Sequence, residues 1–139
     1  METQVINHEV HEEHEGYTFE PLSKRIISAA IEVHRELGPG LLESAYMACF
    51  AHELSLMDIE AELGVPLPVQ YKGLAVPTSY RMDLVIDNEI LVELKSVASL
   101  EPIHEAQVLT YLKLSGLKKA LLINFNVPLL KDGIRRFVR

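Results

Sequence analysis

Residues 80–97 read Tyr80-Arg-Met-Asp-Leu-Val-Ile-Asp-Asn-Glu-Ile-Leu-Val-Glu-Leu-Lys-Ser-Val97 and contain two apolar runs separated by a polar turn. The dipeptide Asp87-Asn88 is typical of a tight hairpin turn, because both residue types tolerate a left-handed backbone. It would join a strand over Met82–Ile86 to a second strand over Ile90–Val97. The segment therefore predicts a β-hairpin.

The second strand of this hairpin carries charged side chains among apolar ones. Alternate side chains of a strand point the same way, so Glu93 and Lys95 share one face while Val92 and Leu94 share the other. Charges in an otherwise apolar strand are costly unless they are paired or bind a ligand. We expect Asp83, Glu93 and Lys95 to converge at one end of the hairpin.

These residue types suit phosphodiester hydrolysis. A hard cation such as Mg²⁺ neutralises the phosphate and activates water, and it prefers carboxylate and carbonyl oxygens. Asp83 and Glu93 would bind the cation, and Lys95 would orient the attacking water or stabilise the developing charge. By itself this spacing arises by chance in many chains. A solvated hairpin with an incidental salt bridge between Glu93 and Lys95 is the alternative.

Two helices are predicted before the hairpin. Apolar residues from Leu22 to Leu37 recur on one helical face, and Gly38-Pro39-Gly40 ends that helix. A second helix is expected over residues 41–57, with a buried stripe at helical spacing that consists of Leu42, Ala45, Tyr46, Cys49, Phe50 and Leu54.

The remaining elements give the chain an α/β character of the mixed α+β kind. Strands are predicted near residues 60–71, 74–78, 80–86 and 90–97. A helix should start at Pro102 and end at Ser115, capped by Gly116. Residues 120–125 are predicted to form a strand that is buried on both faces. Residues 134–138 are predicted to form a last strand at an edge of the sheet. This order predicts a central mixed sheet flanked by helices.

Composition is that of an ordinary globular domain. The 139 residues are 48% hydrophobic and 24% charged, which fits one domain. No run of about 18 apolar residues is present, so we expect no membrane contact. Cys49 is the one cysteine; we expect it to be a small buried hydrophobe in a reducing compartment, the cytoplasm.

The negative charge is concentrated at the N-terminus. The net charge is −7, and residues 1–20 hold six Glu and no Lys or Arg, which leaves 14 acidic and 13 basic residues in the remainder. Residues 1–19 lack apolar periodicity and are predicted to be a flexible acidic tail, followed by a single domain over 20–139. This near-neutral remainder neither indicates nor excludes a nucleic-acid partner.

Further candidate site residues lie on the predicted helices. Glu43 follows the Gly-Pro-Gly break by one helical turn, and Gln107 and Tyr111 stack on one side of the helix after Lys95. For each residue, a role outside the site is at least as good an explanation. Glu43 could be a charge on the helix surface, Gln107 a surface amide and Tyr111 a core residue. His34 is explained equally well as a neighbour of the site or as a hydrogen-bonded structural histidine.

The chain closely resembles the GxxExxY protein family, a branch of the PD-(D/E)xK nuclease superfamily. The namesake motif is Gly40, Glu43 and Tyr46, and the segments 30–46, 102–116 and 121–126 resemble that family as well. The resemblance covers about residues 20–139. One departure is Met82, which stands where the motif has Pro, a residue that supplies no ligand.

The resemblance implies a restriction-endonuclease-like core with a metal-dependent hydrolytic site at the hairpin. It assigns Asp83, Glu93 and Lys95 to the D…(D/E)xK motif, Glu43 to the acidic residue of the first helical region, and Gln107 with Tyr111 to a QxxxY element. The full set of these residues is typical of an active member.

The expected function is therefore a metal-dependent nuclease that acts on DNA. Mg²⁺ or Mn²⁺ would lie on Asp83 and Glu93, with Glu43 assisting directly or through water. The alternative is a non-catalytic module that binds nucleic acid or protein and retains the nuclease fold. Because a chain of this size offers little surface for a duplex, a homodimer or a partner protein is expected.

Overall fold

The predicted hairpin forms part of a six-stranded mixed sheet. The structure is a computed structural model that describes Gln4–Ile6 and residues 21–139. Within these residues it contains the helices α1 (Pro21–Leu37), α2 (Glu43–Leu56) and α3 (Pro102–Ser115), and the strands β1 (Gln4–Ile6), β2 (Ala61–Leu67), β3 (Gln70–Tyr71), β4 (Leu74–Ala75), β5 (Tyr80–Ile86), β6 (Ile90–Lys95), β7 (Lys119–Asn124) and β8 (Ile134–Val138).

The strand order in the sheet is β1-β8-β7-β6-β5-β2. Strands β6 and β7 are parallel, joined by the crossover helix α3, and the other neighbours are antiparallel. Strands β3 and β4 form a separate two-stranded hairpin. A mixed sheet flanked by helices was the predicted architecture, and it is confirmed.

Local turn chemistry sets the ends of the elements. Asp87 and Asn88 have φ values of +56° and +54°, the left-handed pair that a type I′ hairpin turn needs. Gly116 ends α3 with φ +80° and donates its N–H to the carbonyl of Leu112 at 3.0 Å. Gly38, at φ +68°, donates to His34 O at 2.8 Å and ends α1.

The sheet has an apolar layer on each face. Val92 and Leu94 pack with the residues of α1 and α2, whereas Leu91 packs on the opposite face with those of α3. The alternation predicted for β6 is therefore confirmed. Strand β7 lies between these layers, and its residues Ala120–Ile123 are fully buried, as expected for a strand covered on both sides.

Several expectations were wrong in detail. Strand β8 is not at an edge, because β1 pairs with it; Gln4–Ile6 thus form a strand inside the predicted tail, whose other residues lie outside the described ones. Cys49 is exposed. Leu42 is 77% exposed, since it precedes α2 in an extended conformation and does not lie on the buried helix face.

The buried stripe of α2 is narrower than its sequence suggested. The helix buries Tyr46, Phe50 and Leu54, which are spaced four residues apart and form a single row. In the part of the chain that the structure describes, no helix has the length and apolar character needed to cross a membrane.

Candidate functional site

The hairpin of β5 and β6 opens at the end opposite its turn. Paired residues run from Ile86 and Ile90 to Leu84 and Val92. Beyond them, the backbone N–H of Asp83 donates to Glu93 Oε2 at 2.8 Å. The N–H of Leu94 donates to Asp83 Oδ2, also at 2.8 Å. Two carboxylates thus accept backbone hydrogen bonds in the gap between the strands.

Burial makes this pair of carboxylates electrostatically unfavourable. Glu93 is only 3% exposed, and burial, followed by the charge of Asp83, raises the pKa of Glu93 from 4.5 to about 8. Burial also raises the pKa of Asp83, although the Leu94 N–H and the charge of Lys95 oppose the shift. Two like charges this close favour a proton or a cation between them.

The donor set at the gap fits a hard divalent cation. Asp83 and Glu93 present carboxylate oxygens, and Mg²⁺ is commonly held by one or two carboxylates while water and substrate phosphate complete its shell. Among residues 21–139, no group of three or more His, Cys, Asp or Glu side chains is arranged to hold a metal. Within this part of the chain, the two carboxylates form an open pair of ligands and not a closed cage.

Lys95 lies two residues after Glu93, on the same face of β6, and is half-buried. Its positive charge lowers the pKa of Asp83, Glu93 and Glu43. The carbonyl of Lys95 accepts the N–H of Phe125 at 3.0 Å. The Lys95 ammonium is therefore close enough to these carboxylates to affect their pKa values, and its backbone lies at the end of a central strand.

Glu43 reaches the same region from the other side of the sheet. It is the first residue of α2, where the free N–H groups of a helix favour a negative charge. Partial burial raises the pKa of Glu43, while Lys95 lowers it, Asp83 raises it and His104 lowers it. These neighbours place the Glu43 carboxylate at the margin of the carboxylate pair.

Tyr46 holds the connection that carries Glu43. Its hydroxyl donates to the carbonyl of Gly38 and accepts the N–H of Leu41 at 3.2 Å. The ring stacks on Phe125, with centroids 4.6 Å apart and planes inclined by 7°. The GxxExxY spacing thus has a structural explanation, because Tyr46 anchors the loop that precedes Glu43.

Two contacts that sequence reasoning missed fix the segment after Lys95. Ser96 Oγ donates to Leu41 O at 2.6 Å. Asn124 Oδ1 accepts the N–H of Val97 at 3.1 Å, and Asn124 Nδ2 donates to Val97 O at 3.0 Å. The signal for Asn124 was an amide at the end of an otherwise apolar strand, which must be paired when buried.

The face of α3 that bears Gln107 and Tyr111 completes the surroundings. Gln107 Nε2 donates to the Tyr111 hydroxyl at 3.4 Å, a weak contact. Burial raises the pKa of Tyr111, and the charges of Glu93 and Asp83 add to that effect. Tyr111 is therefore both a core residue and a neighbour of the carboxylates.

His34 and His104 both have structural partners. His34 is buried, and its Nε2 lies 2.8 Å from Val127 O. His104 Nδ1 accepts the N–H of Glu101 at 2.9 Å, which caps α3. His104 also faces the charge of Glu43, whereas the contacts of His34 indicate a structural role.

The structure thus gathers residues from four elements at one end of the sheet. They are the carboxylate pair with Lys95 on the hairpin, Glu43 on α2, and Gln107 with Tyr111 on α3.

Comparison with curated proteins and with solved structures found no match. A sequence model of the PD-(D/E)XK nuclease superfamily matches residues 20–137, nearly the whole chain. The chain belongs to the PD-(D/E)XK nuclease superfamily.

Proposed function

We propose that this chain is a metal-dependent nuclease that hydrolyses phosphodiester bonds of DNA. The observation that carries the proposal is the buried pair Asp83 and Glu93, held in the opened hairpin with Lys95 beside it. The sequence spacing of Gly40, Glu43 and Tyr46 further supports membership of the GxxExxY branch.

Asp83 and Glu93 would hold Mg²⁺ or Mn²⁺. When bound, such a cation neutralises phosphate charge and lowers the pKa of its water to a useful range. The carboxylates that bind the cation must be deprotonated, so binding would release the proton that the raised pKa of Glu93 retains.

The other residues act through charge and hydrogen bonds. Lys95 orients the attacking water or donates to the phosphate as charge builds up on its oxygens. Glu43 would assist Asp83 and Glu93 in holding the cation, directly or through water. Gln107 positions the water or Lys95, and Tyr111 donates its hydroxyl to a phosphate oxygen.

The test is cleavage of labelled single-stranded, duplex and branched DNA, and of RNA, in Mg²⁺, Mn²⁺ or EDTA. We expect cleavage of DNA that needs the cation. Asp83→Asn and Lys95→Ala should each lower the rate by about 100-fold or more.

Matched controls lie at the far end of the same sheet. Asp87→Asn makes the same change from Asp to Asn as Asp83→Asn, but in the hairpin turn, where Asn also tolerates the left-handed backbone. Lys118→Ala removes an exposed lysine next to the start of β7. Both should cut like the unchanged chain. If no substrate is cut in any metal, the proposal fails and a non-catalytic binding module is favoured.

A further inference from the structure

A groove of about 330 Å³ lies between α3 and two residues that precede β6, Val69 in the connection after β2 and Tyr80 at the start of β5. Its walls include Ile103, Ala106, Thr110 and Leu114 from α3, with Val69 and Tyr80 opposite. The residues from α3 follow one another at intervals of three and four, so they form one row along three helical turns. The volume is within the range of about 300–1,000 Å³ that is usual for ligand pockets.

This groove shares two of its lining residues with the candidate site. Gln107 and Tyr111 line it, and the pKa of Tyr111 responds to the charges of Glu93 and Asp83. The rings of Tyr80 and Tyr111 meet edge to face, with centroids 6.5 Å apart and planes inclined by 70°. A ligand in the groove would therefore contact Gln107 and Tyr111, which also belong to the candidate site.

The chemistry of the walls selects a flat, apolar group. Tyr80 is 46% exposed and Ile103 is 69% exposed, and none of the residues that line the groove is charged. Such walls offer no positive charge to a phosphate group. They suit the face of a nucleobase, which stacks on aromatic side chains, while Gln107 and Thr110 offer hydrogen bonds to its edge.

We propose that this groove binds unpaired bases of a DNA strand beside the scissile phosphate, so that the substrate is single-stranded DNA or a frayed end. The inference rests on the proposed nuclease function. An intact duplex keeps its bases stacked inside the helix and cannot present a base face to Tyr80. The groove would therefore select DNA with unpaired bases over duplex DNA, because only unpaired bases are accessible to it.

The test is binding, measured by fluorescence anisotropy with the Lys95→Ala chain in Mg²⁺, so that the DNA is not consumed. The probes are a dye-labelled single strand of about 12 nucleotides, an abasic strand of the same length and charge, and a blunt duplex. We expect the strand with bases to bind at least about 5-fold more tightly than the abasic strand.

Substitutions separate stacking from general charge attraction. Tyr80→Ala should weaken binding of the strand with bases by about 5-fold or more, whereas Tyr80→Phe should retain it. Tyr71→Ala is the matched control, since Tyr71 is an exposed tyrosine on β3 outside the groove. Ala106→Leu, at an exposed helical position, fills the groove without disturbing the core and should also weaken binding.

Equal affinity for the abasic strand and the strand with bases would overturn this inference. So would a duplex that binds most tightly and is insensitive to Tyr80→Ala. Metal-dependent cutting combined with either result would leave the nuclease proposal standing. Base-dependent binding without any cutting by the unchanged chain would reject the nuclease proposal and leave the groove assignment.

Discussion

Glu93 is a buried acid whose pKa lies far above that of an exposed glutamate. Its carboxyl group is buried beside Asp83, and its pKa is raised to about 8. Without a cation, the folded chain therefore binds a proton at neutral pH that the unfolded chain has released. A buried acid of this kind links stability to both pH and metal binding.

We predict that the metal-free chain loses stability as pH rises from 4.5 to about 8. Over that range the folded state holds more protons than the unfolded state, so the free energy of unfolding falls with pH. Glu93→Gln removes this titration and keeps an oxygen for the Asp83 N–H. Tm in EDTA near pH 5.5 and near pH 8.5 is the measurement, with about 4 °C expected per kcal/mol.

Glu89→Gln is the control for this experiment, because Glu89 is exposed in the same hairpin. Its pH profile should match that of the unchanged chain. The prediction is wrong if Glu93→Gln loses as much Tm between the two pH values as the unchanged chain does.

At the scale of elements, the connection between α1 and α2 depends on one phenol. The Tyr46 hydroxyl bonds two backbone groups of the connection, at Gly38 and Leu41, and its ring is fully buried against Phe125. The connection also contacts the end of β6 through Ser96. The position of Glu43 is therefore coupled to that of the Lys95 strand.

Tyr46→Phe should lower the free energy of unfolding by about 1 kcal/mol or somewhat more, because Leu41 N–H and Gly38 O lose a partner while the ring stack survives. The rate of DNA cleavage should fall as well, since Glu43 is held less firmly. Urea unfolding and the cleavage assay measure the two effects. Tyr71→Phe, at an exposed tyrosine, should change neither. A stability equal to that of the unchanged chain would show that the hydroxyl is dispensable.

The end of β6 is held by amides from the neighbouring strand and the residues after it. Asn124 is 1% exposed and bonds both the N–H and the carbonyl of Val97. Asn126 Nδ2 makes a single, longer bond of 3.3 Å to the same carbonyl. The segment that follows Lys95 is therefore fixed mainly by Asn124.

We predict a graded response to removal of these amides. Asn124→Ala should destabilise the chain by about 1–3 kcal/mol, because it removes the partner of the Val97 N–H and leaves the Val97 carbonyl only the longer bond from Asn126. Asn126→Ala should cost distinctly less. Urea unfolding of the two variants gives the comparison, and equal losses would contradict the role assigned to Asn124.

At the scale of the whole molecule, the sheet brings together residues from helices that pack on its two opposite faces. Glu43 arrives with the helices on one face, Gln107 and Tyr111 arrive with α3 on the other, and the opened hairpin lies between them. Because the centre of the resulting site is two carboxylates in a poorly solvated gap, a bound cation should stabilise the entire fold.

We predict that Mg²⁺ or Mn²⁺ raises Tm, and that EDTA reverses the effect. A cation that binds only the folded chain stabilises it by about 1.4 kcal/mol at ten times its Kd. Asp83→Asn should abolish the rise, whereas Asp87→Asn in the turn should retain it. Differential scanning calorimetry gives the values. A rise of equal size in both variants would indicate general cation binding and would contradict a site at the hairpin.

Much of the fold could be predicted from local patterns. The helices from Leu22 and Pro102, the turn at Asp87-Asn88 and the buried strand β7 each follow from signals a few residues long. These signals are helical or strand periodicity, a left-handed turn, and a glycine cap. Alternation along β6 likewise separates Glu93 and Lys95 from Val92 and Leu94, whereas the site roles of Glu43, Gln107 and Tyr111 were implied by the family resemblance.

The tertiary structure decided the features that depend on distant partners. The pairing of β1 with β8, the exposure of Leu42 and the bond between Ser96 and Leu41, which are 55 positions apart, have no signature in any short window. Exposure and hydrogen bonding depend on which surfaces meet, and surfaces meet only after the chain has folded. The carboxylate gap, the Tyr46 anchor and the apolar groove exist for that reason.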